Sequence, residues 1–362
     1  MTGAKQQSRI RFSRIAEIED EHAEGGATHP IVIMSDFHMG NGGRSDDLLR
    51  NGLLVRDILQ QYYYPRGWLL ILNGDIEELQ RYPYGNIRRA WKGLYEVFDA
   101  YHEKGRLFKT IGNHDEDLEY LHAYPYPLYD AIQIKTPTIP LLVYHGHQAS
   151  KVYTQYNRFV RLSLRYFFKP LGIRNISSAR SPRHRFFVEK EAYRFSLENN
   201  VISIIGHTHR PLFESLGRFD YIKFEIERLI REYPSAAGLE KDRIAEEVRL
   251  LREELSKLKR SERRTSIQQS LYGDELPVPC LFNSGSVIGK KGIYGIELEG
   301  NTIRLVYWFT EGQGKRFVHR GTYAIEVLEG TSHRRVVLNQ DRLEYVRAKI
   351  ERTRCHDPVG AD

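Results

Sequence analysis

The chain alternates short apolar runs with polar breaks that contain glycine. Ile31-Val32-Ile33-Met34 predicts a buried strand, which breaks into Ser35-Asp36-Phe37-His38-Met39-Gly40. Four later runs repeat the design. Trp68 to Leu72 ends in Asn73-Gly74-Asp75, and Leu107 to Ile111 ends in Gly112-Asn113-His114-Asp115. Ile139 to Tyr144 ends in His145-Gly146-His147, and Val201 to Ile205 ends in Gly206-His207-Thr208-His209. Between the runs the period changes. Ser45-Asp46-Asp47 predicts an N-cap and a helix to about Tyr62. Ile87, Trp91, Leu94, Phe98 and Tyr101 predict an amphipathic helix closed by Gly105. Past Asn283-Ser284-Gly285-Ser286, two alternating runs around Glu299-Gly300-Asn301 predict a β-hairpin. The tail carries a strand-like stretch, Thr322 to Leu328, and a charged helix near Arg342 to Arg352. The expected organisation is a flexible segment at 1–29, a main α/β domain at 30–310 and a C-terminal extension at 311–362.

The breaks carry the candidate chemistry. In an open α/β sheet, ligands bind beyond the carboxyl ends of the strands. Asp36 and His38 lie two apart, so in extended backbone they point the same way. Glycine before Asp75, Asn113 and His207 predicts sharp turns that aim these side chains into the crevice. Carboxylate, amide and imidazole donors at five strand ends predict a metal centre. Without thiolates the donor set suits Mn²⁺, Fe or Zn²⁺ better than Mg²⁺. The ligands outnumber what one ion needs, which favours two ions about 3.5–4 Å apart sharing a carboxylate.

Composition narrows the class. With 362 residues, 41% hydrophobic and 28% charged, the chain is long enough for one large domain with insertions. Its apolar runs are strand-sized, far below the roughly 20 residues of a membrane span. Met1 to Arg14 has no apolar core, so a secretory signal is not expected. Two cysteines cannot make a disulfide framework, which fits a reducing cytoplasm. A net charge of +7 favours anionic partners: phosphorylated small molecules, nucleic acid or an anionic membrane surface.

Two insertions stand out. Arg158, Arg161 and Arg165 recur on one helical face beside Phe159, Leu162 and Tyr166. This predicts a cap, at about 150–198, that gathers phosphate or rests peripherally on a membrane. Within about 215–275, Phe219, Ile222, Ile226 and Leu229 form one seam. Ile244, Val248, Leu251, Leu255 and Leu258 form a second, with Pro234 and Gly238 between. They predict an antiparallel helical hairpin, a candidate for self-association.

The motif order Asp-x-His, Gly-Asp, Gly-Asn-His-Asp, His-Gly-His, Gly-His-Thr-His resembles the calcineurin-like metallophosphoesterase superfamily. Ser-Asp-Phe-His-Met-Gly, Gly-Asp-Ile-Glu-Glu and the Tyr/Arg-rich cap are most similar to UDP-2,3-diacylglucosamine hydrolase and its relatives. Two features depart from them: His114 stands where many of those enzymes carry arginine, and the 215–275 insertion is long. The resemblance implies a four-layer α/β/β/α sandwich with a helical cap and a helical-hairpin insertion. It implies one metal held by Asp36, His38, Asp75 and His209 and a second by Asp75, Asn113, His145 and His207, with Mn²⁺ the first choice. It further implies phosphodiester, phosphomonoester or pyrophosphate hydrolysis through a metal-bridging hydroxide, on a nucleotide- or lipid-linked substrate. His114 would act on the leaving oxygen, oriented by Asp115, while Arg158, Arg161 and Arg165 would bind substrate. The alternatives are a nuclease acting on DNA or RNA and a non-catalytic interaction module.

Overall fold

The computed structural model describes residues 10–19, 29–136, 139–149, 182–258, 278–315, 318 and 324–353. Arg158, Arg161, Arg165 and most of the expected cap lie outside these residues. Among the described residues the strands form two sheets. One has the order β1 (Ile15–Glu19), β5 (Ala131–Lys135), β6 (Leu141–Tyr144), β7 (Ile202–Ile205), β8 (Leu281–Asn283). The other runs β11 (Ile325–Val327), β12 (His333–Arg342), β10 (Thr302–Thr310), β9 (Ile293–Glu299), β2 (Ile31–Met34), β3 (Leu69–Asn73), β4 (Leu107–Thr110).

The layers follow from the pleat. Successive strand side chains face opposite ways. Ile31, Ile33, Leu69 and Ile71 turn inward and join Ile132, Leu141, Val143, Ile202 and Ile204 of the other sheet in one core. Val32, Met34, Leu70 and Leu72 turn outward, onto Leu54, Val55, Ile58, Leu94 and Phe98. These belong to α1 (Gly52–Asp57, continued as a π-helix to Tyr63) and α3 (Lys92–Glu103). On the far side, Val188, Ala192 and Phe195 of α4 (Pro182–Asn199) pack against the smaller sheet. The result is the expected α/β/β/α sandwich. Continuous apolar runs are what strands covered on both faces require.

β2, β3 and β4 are mutually parallel, as are β6, β7 and β8. Their carboxyl ends meet at one edge of the sandwich. Asp36 N donates to Gly74 O, His38 N to Asp75 O, and Asn73 Nδ2 to Tyr144 O across the sheets.

Several elements differ from the sequence reading. β1 lies inside the segment expected to be flexible; it pairs in parallel with β5 and buries Ala16 and Ile18. β12 was not expected, yet it pairs with β10 from Thr302↔Arg342 to Thr310↔His333, so the C-terminal extension is part of the larger sheet. The helix expected from Ser45 starts at Gly52. Asp46 instead accepts from Gly42 N, Leu48 N and Trp91 Nε1, pinning the glycine loop. The helix expected over 87–101 is two, α2 (Tyr84–Ala90) and α3, with the break at Trp91.

The hairpin forms as expected. α5 (Arg218–Glu232) and α6 (Leu239–Lys257) bury Ile222, Leu229, Ile244 and Leu251 in a cluster of their own. Arg218 pairs with Glu254 at 2.9 Å across it. A C-terminal helix, α7 (Leu343–Thr353), follows β12 directly. Among the described residues no helix is long and apolar enough to cross a membrane.

Candidate metal centre

Three of the five strand ends deliver their side chains through a bent backbone. Asp36, His38, Asp75, His207 and His209 all have positive φ, between 46° and 62°. Non-glycine residues take this left-handed shape at a cost of about 1–3 kcal/mol each, and such strain gathers at functional sites. The sequence reading assigned the bending to the neighbouring glycines. Gly74 does bend, with φ of 73°. Gly112 and Gly206 serve a different need, which is space. A Cβ on Gly112 would lie 2.2 Å from Asp75 Oδ1, and one on Gly206 would lie 2.5 Å from Ser35 Oγ.

Among the described residues three groups of donors converge; one is His38, Glu78 and His114, and the other two each include a strand-end aspartate. Asp36, His38 and His209 form one, with His209 Nε2 3.0 Å from Asp36 Oδ1 and 3.2 Å from His38 Nε2. Asp75, His145 and His207 form the other, with His145 Nε2 3.1 Å from Asp75 Oδ2 and 3.2 Å from His207 Nδ1. Asp75 Oδ2 also lies 3.9 Å from His38 Nε2, so this carboxylate faces both groups. Asn113 sits between two residues that touch Asp75: Gly112 by close approach, and His114, whose N–H donates to Asp75 Oδ1 at 2.8 Å. His147 is buried nearby, its ring 5.5 Å from His145 and 6.4 Å from His207.

The donor set fits divalent cations. Asp36 Oδ1 and Asn113 Oδ1 are buried oxygens without a hydrogen bond among the described residues. An oxygen held this way is costly unless a cation takes it up. The outer contacts orient the rings. Asn73 O accepts from His145 Nδ1 at 2.9 Å, and Glu78 Oε2 accepts from His38 Nδ1 at 3.1 Å, so both imidazoles turn Nε2 into the centre. Asp36 Oδ2 accepts from Ser35 Oγ and His207 N. Such partners fix tautomer and ring orientation in metal sites.

The electrostatics are those of a crowded buried cluster. Burial opposes charge on His38, but Glu78 and Asp75 lift it to about 9. Burial likewise opposes charge on His145, and Asp75 lifts it to about 9. Asp75 is held well below the usual carboxylate range, because the facing imidazoles of His145 and His114 outweigh its burial. His207 is pushed well below an ordinary histidine by burial and the neighbouring His145.

The sequence reading paired His114 with Asp115, and the structure pairs it otherwise. Asp115 accepts from Gly112 N at 2.6 Å, Ile76 N at 2.8 Å and the buried Lys109 Nζ at 2.8 Å, so its oxygens are committed to the loops. The carboxylate beside His114 is Glu78, 2.9 Å from Nδ1. Burial would raise the Glu78 carboxyl, but hydrogen bonds from His114 and His38 bring it down to about 2. Glu78 was legible only as part of the Gly-Asp-Ile-Glu-Glu run. Its distance of three residues from Asp75 gave no sign that it turns back to serve two histidines.

The calcineurin-like phosphoesterase family matches residues 29–221 of the chain. No curated protein sequence matches it. Among solved structures, a conserved phosphoesterase-like protein of Streptococcus pneumoniae aligns at 12% identity and TM-score 0.30, covering 79% of this chain and 91% of that one. YfcE, a phosphoesterase from E. coli, aligns at 12% identity and TM-score 0.33, covering 87% and 99%. Vps29 of Entamoeba histolytica aligns at 10% identity and TM-score 0.35, covering 86% and 99%. Likenesses of this size bear on neither chemistry nor substrate.

Proposed function

The chain belongs to the calcineurin-like phosphoesterase family, and from that premise we propose that it is a dinuclear metal-dependent phosphoric ester hydrolase. The observation that carries the reading is Asp75, whose buried carboxylate faces both donor groups. One ion would be held by Asp36, His38, Asp75 and His209, the second by Asp75, Asn113, His145 and His207. Bound there, the ions supply charge neutralisation on the phosphoryl oxygens and water of lowered pKa. Mn²⁺ suits the nitrogen–oxygen donor set, with Fe or Zn²⁺ as alternatives.

The chain's own residues do the rest. His38 and His145 keep Nε2 turned inward because Glu78 and Asn73 O hold the opposite nitrogens. His114 donates its Nδ1–H in the hydrogen bond to Glu78, and as an imidazolium it would carry a second proton on Nε2 for the substrate. Hydrolysis adds a hydroxyl to phosphorus and a proton to the departing oxygen, and we assign that proton to the Nε2–H of the His114 imidazolium. Asp115 clamps the loops of Asp75 and Asn113 rather than touching substrate. Arg158, Arg161 and Arg165 remain the proposed phosphate-gathering cap. The substrate class proposed is a nucleotide- or lipid-linked phosphodiester, phosphomonoester or pyrophosphate in the cytoplasm. The basic charge of +7 favours a nucleic acid as the second reading.

Metal analysis tests this. Chelation should abolish hydrolysis of bis-p-nitrophenyl phosphate, and added Mn²⁺ should restore it. Asp75→Ala should lose both ions. One ion at saturation, or full turnover by Asp75→Ala, overturns the dinuclear reading.

A further inference from the structure

The loop Gly206-His207-Thr208-His209-Arg210 is tied to a helix that contributes no metal ligand. Glu189 lies on α4, and its side chain is 0% exposed. One oxygen accepts from Thr208 Oγ1 at 2.9 Å and from Arg210 Nε at 3.1 Å; the other meets Arg210 Nη2. Thr208 Oγ1 in turn accepts from Asn283 Nδ2 at 3.0 Å, and the same amide reaches Gly206 O at 2.9 Å. Thr208 is therefore held from α4 on one side and from β8 on the other. It is the residue between His207 and His209, which both carry positive φ and belong to different donor groups.

A buried carboxylate costs several kcal/mol unless paired. Glu189 is paired by a guanidinium fork and a hydroxyl, all within one loop. What it supplies is a fixed position for Thr208 while both neighbours stand in a strained backbone.

We propose that Glu189 is a positioning residue for the metal centre: through the Thr208 hydroxyl and Arg210 it holds His207 and His209 in the left-handed backbone that lets one short loop serve both ions. The inference rests on the dinuclear reading above.

The test measures Mn²⁺ binding to the full chain by calorimetry, with thermal midpoints of the metal-free and loaded protein. Wild type, Glu189→Gln, Thr208→Val and the double variant are compared. Loss of an outer contact to a metal ligand typically weakens affinity by about 10–100-fold. Each single variant should show a loss of this size, and because both remove the Glu189–Thr208 hydrogen bond the double should lose less than the product of the singles. Turnover should recover at saturating Mn²⁺ with substrate KM unchanged. Thr208→Val keeps the Glu189–Arg210 pair, so it decides the matter if Glu189→Gln does not fold. Unchanged Mn²⁺ affinity in Thr208→Val, or losses that multiply in the double, overturn the positioning role. If wild type itself binds no Mn²⁺, the dinuclear reading fails instead.

Discussion

His114 and Asp115 show how far adjacency in sequence predicts contact. The ligand types were legible because the chemistry needs oxygen and nitrogen donors at strand ends, and the chain places them there five times. Their orienting partners were not legible, because these are fixed by loops folding back. Asp115 is consumed by backbone N–H groups and the fully buried Lys109. Glu78, on the preceding loop, takes both His114 and His38. If His114 protonates the leaving oxygen, His114→Ala should lower kcat about 10²–10⁴-fold on alkyl phosphoesters. The loss on nitrophenyl esters should be much smaller, because nitrophenolate leaves unaided, and both metals should remain. Equal losses on good and poor leaving groups, or a missing ion, would count against the acid role.

Element by element, the five ligand-bearing strands were legible as apolar runs that end in chemistry. β1, β5 and β12 were not: β1 buries only alternate residues, and β5 and β12 mix their buried apolar positions with charged and amide residues, so all three read as polar. The C-terminal elements reach back to the loop that follows the last ligand. Glu214 meets Lys349 of α7 there, in a backbone with φ of 49°. Burial, helped by a hydrogen bond with Asp341, raises the Glu214 carboxyl from 4.5 to about 7 against the pull of Lys349. A carboxyl whose folded pKa is raised binds more protons folded than unfolded. Stability is therefore lost as pH rises from the unfolded value through the folded one. Wild type should lose stability relative to Glu214→Gln between about pH 4.5 and 7, in urea denaturation followed across that range. A constant difference between the two proteins would refute the raised carboxyl.

At the scale of the whole molecule, the proposed ligands come from both sheets: Asp36, His38, Asp75 and Asn113 from the larger, His145, His207 and His209 from the smaller. Fold class was legible because motif order and strand pattern agree. The hairpin was also legible, from its two seams, and it keeps its own apolar cluster. We expect it to be dispensable for chemistry and to serve association. Replacing residues 219–257 by a short Gly/Ser linker should leave Mn²⁺ content and bis-p-nitrophenyl phosphate turnover near wild type while lowering the number of copies per particle seen by light scattering. Unfolding of the deletion would show the hairpin to be core; an unchanged number of copies would remove the association role.

The left-handed backbone of the ligands also sets how this site decays under mutation. Once selection for metal is relaxed, the cheapest replacement for a lost ligand is not alanine but glycine or asparagine, which accept that backbone with little strain. His209, with φ of 55°, offers a direct comparison. In chelator, His209→Gly should be more stable than His209→Ala by about 1 kcal/mol, the reverse of their order in a helix. If alanine proves the more stable, the loop relaxes without its metal and the backbone is not imprinted by the fold. If glycine does, inactive descendants of this protein will carry glycine where His38, His207 and His209 stood.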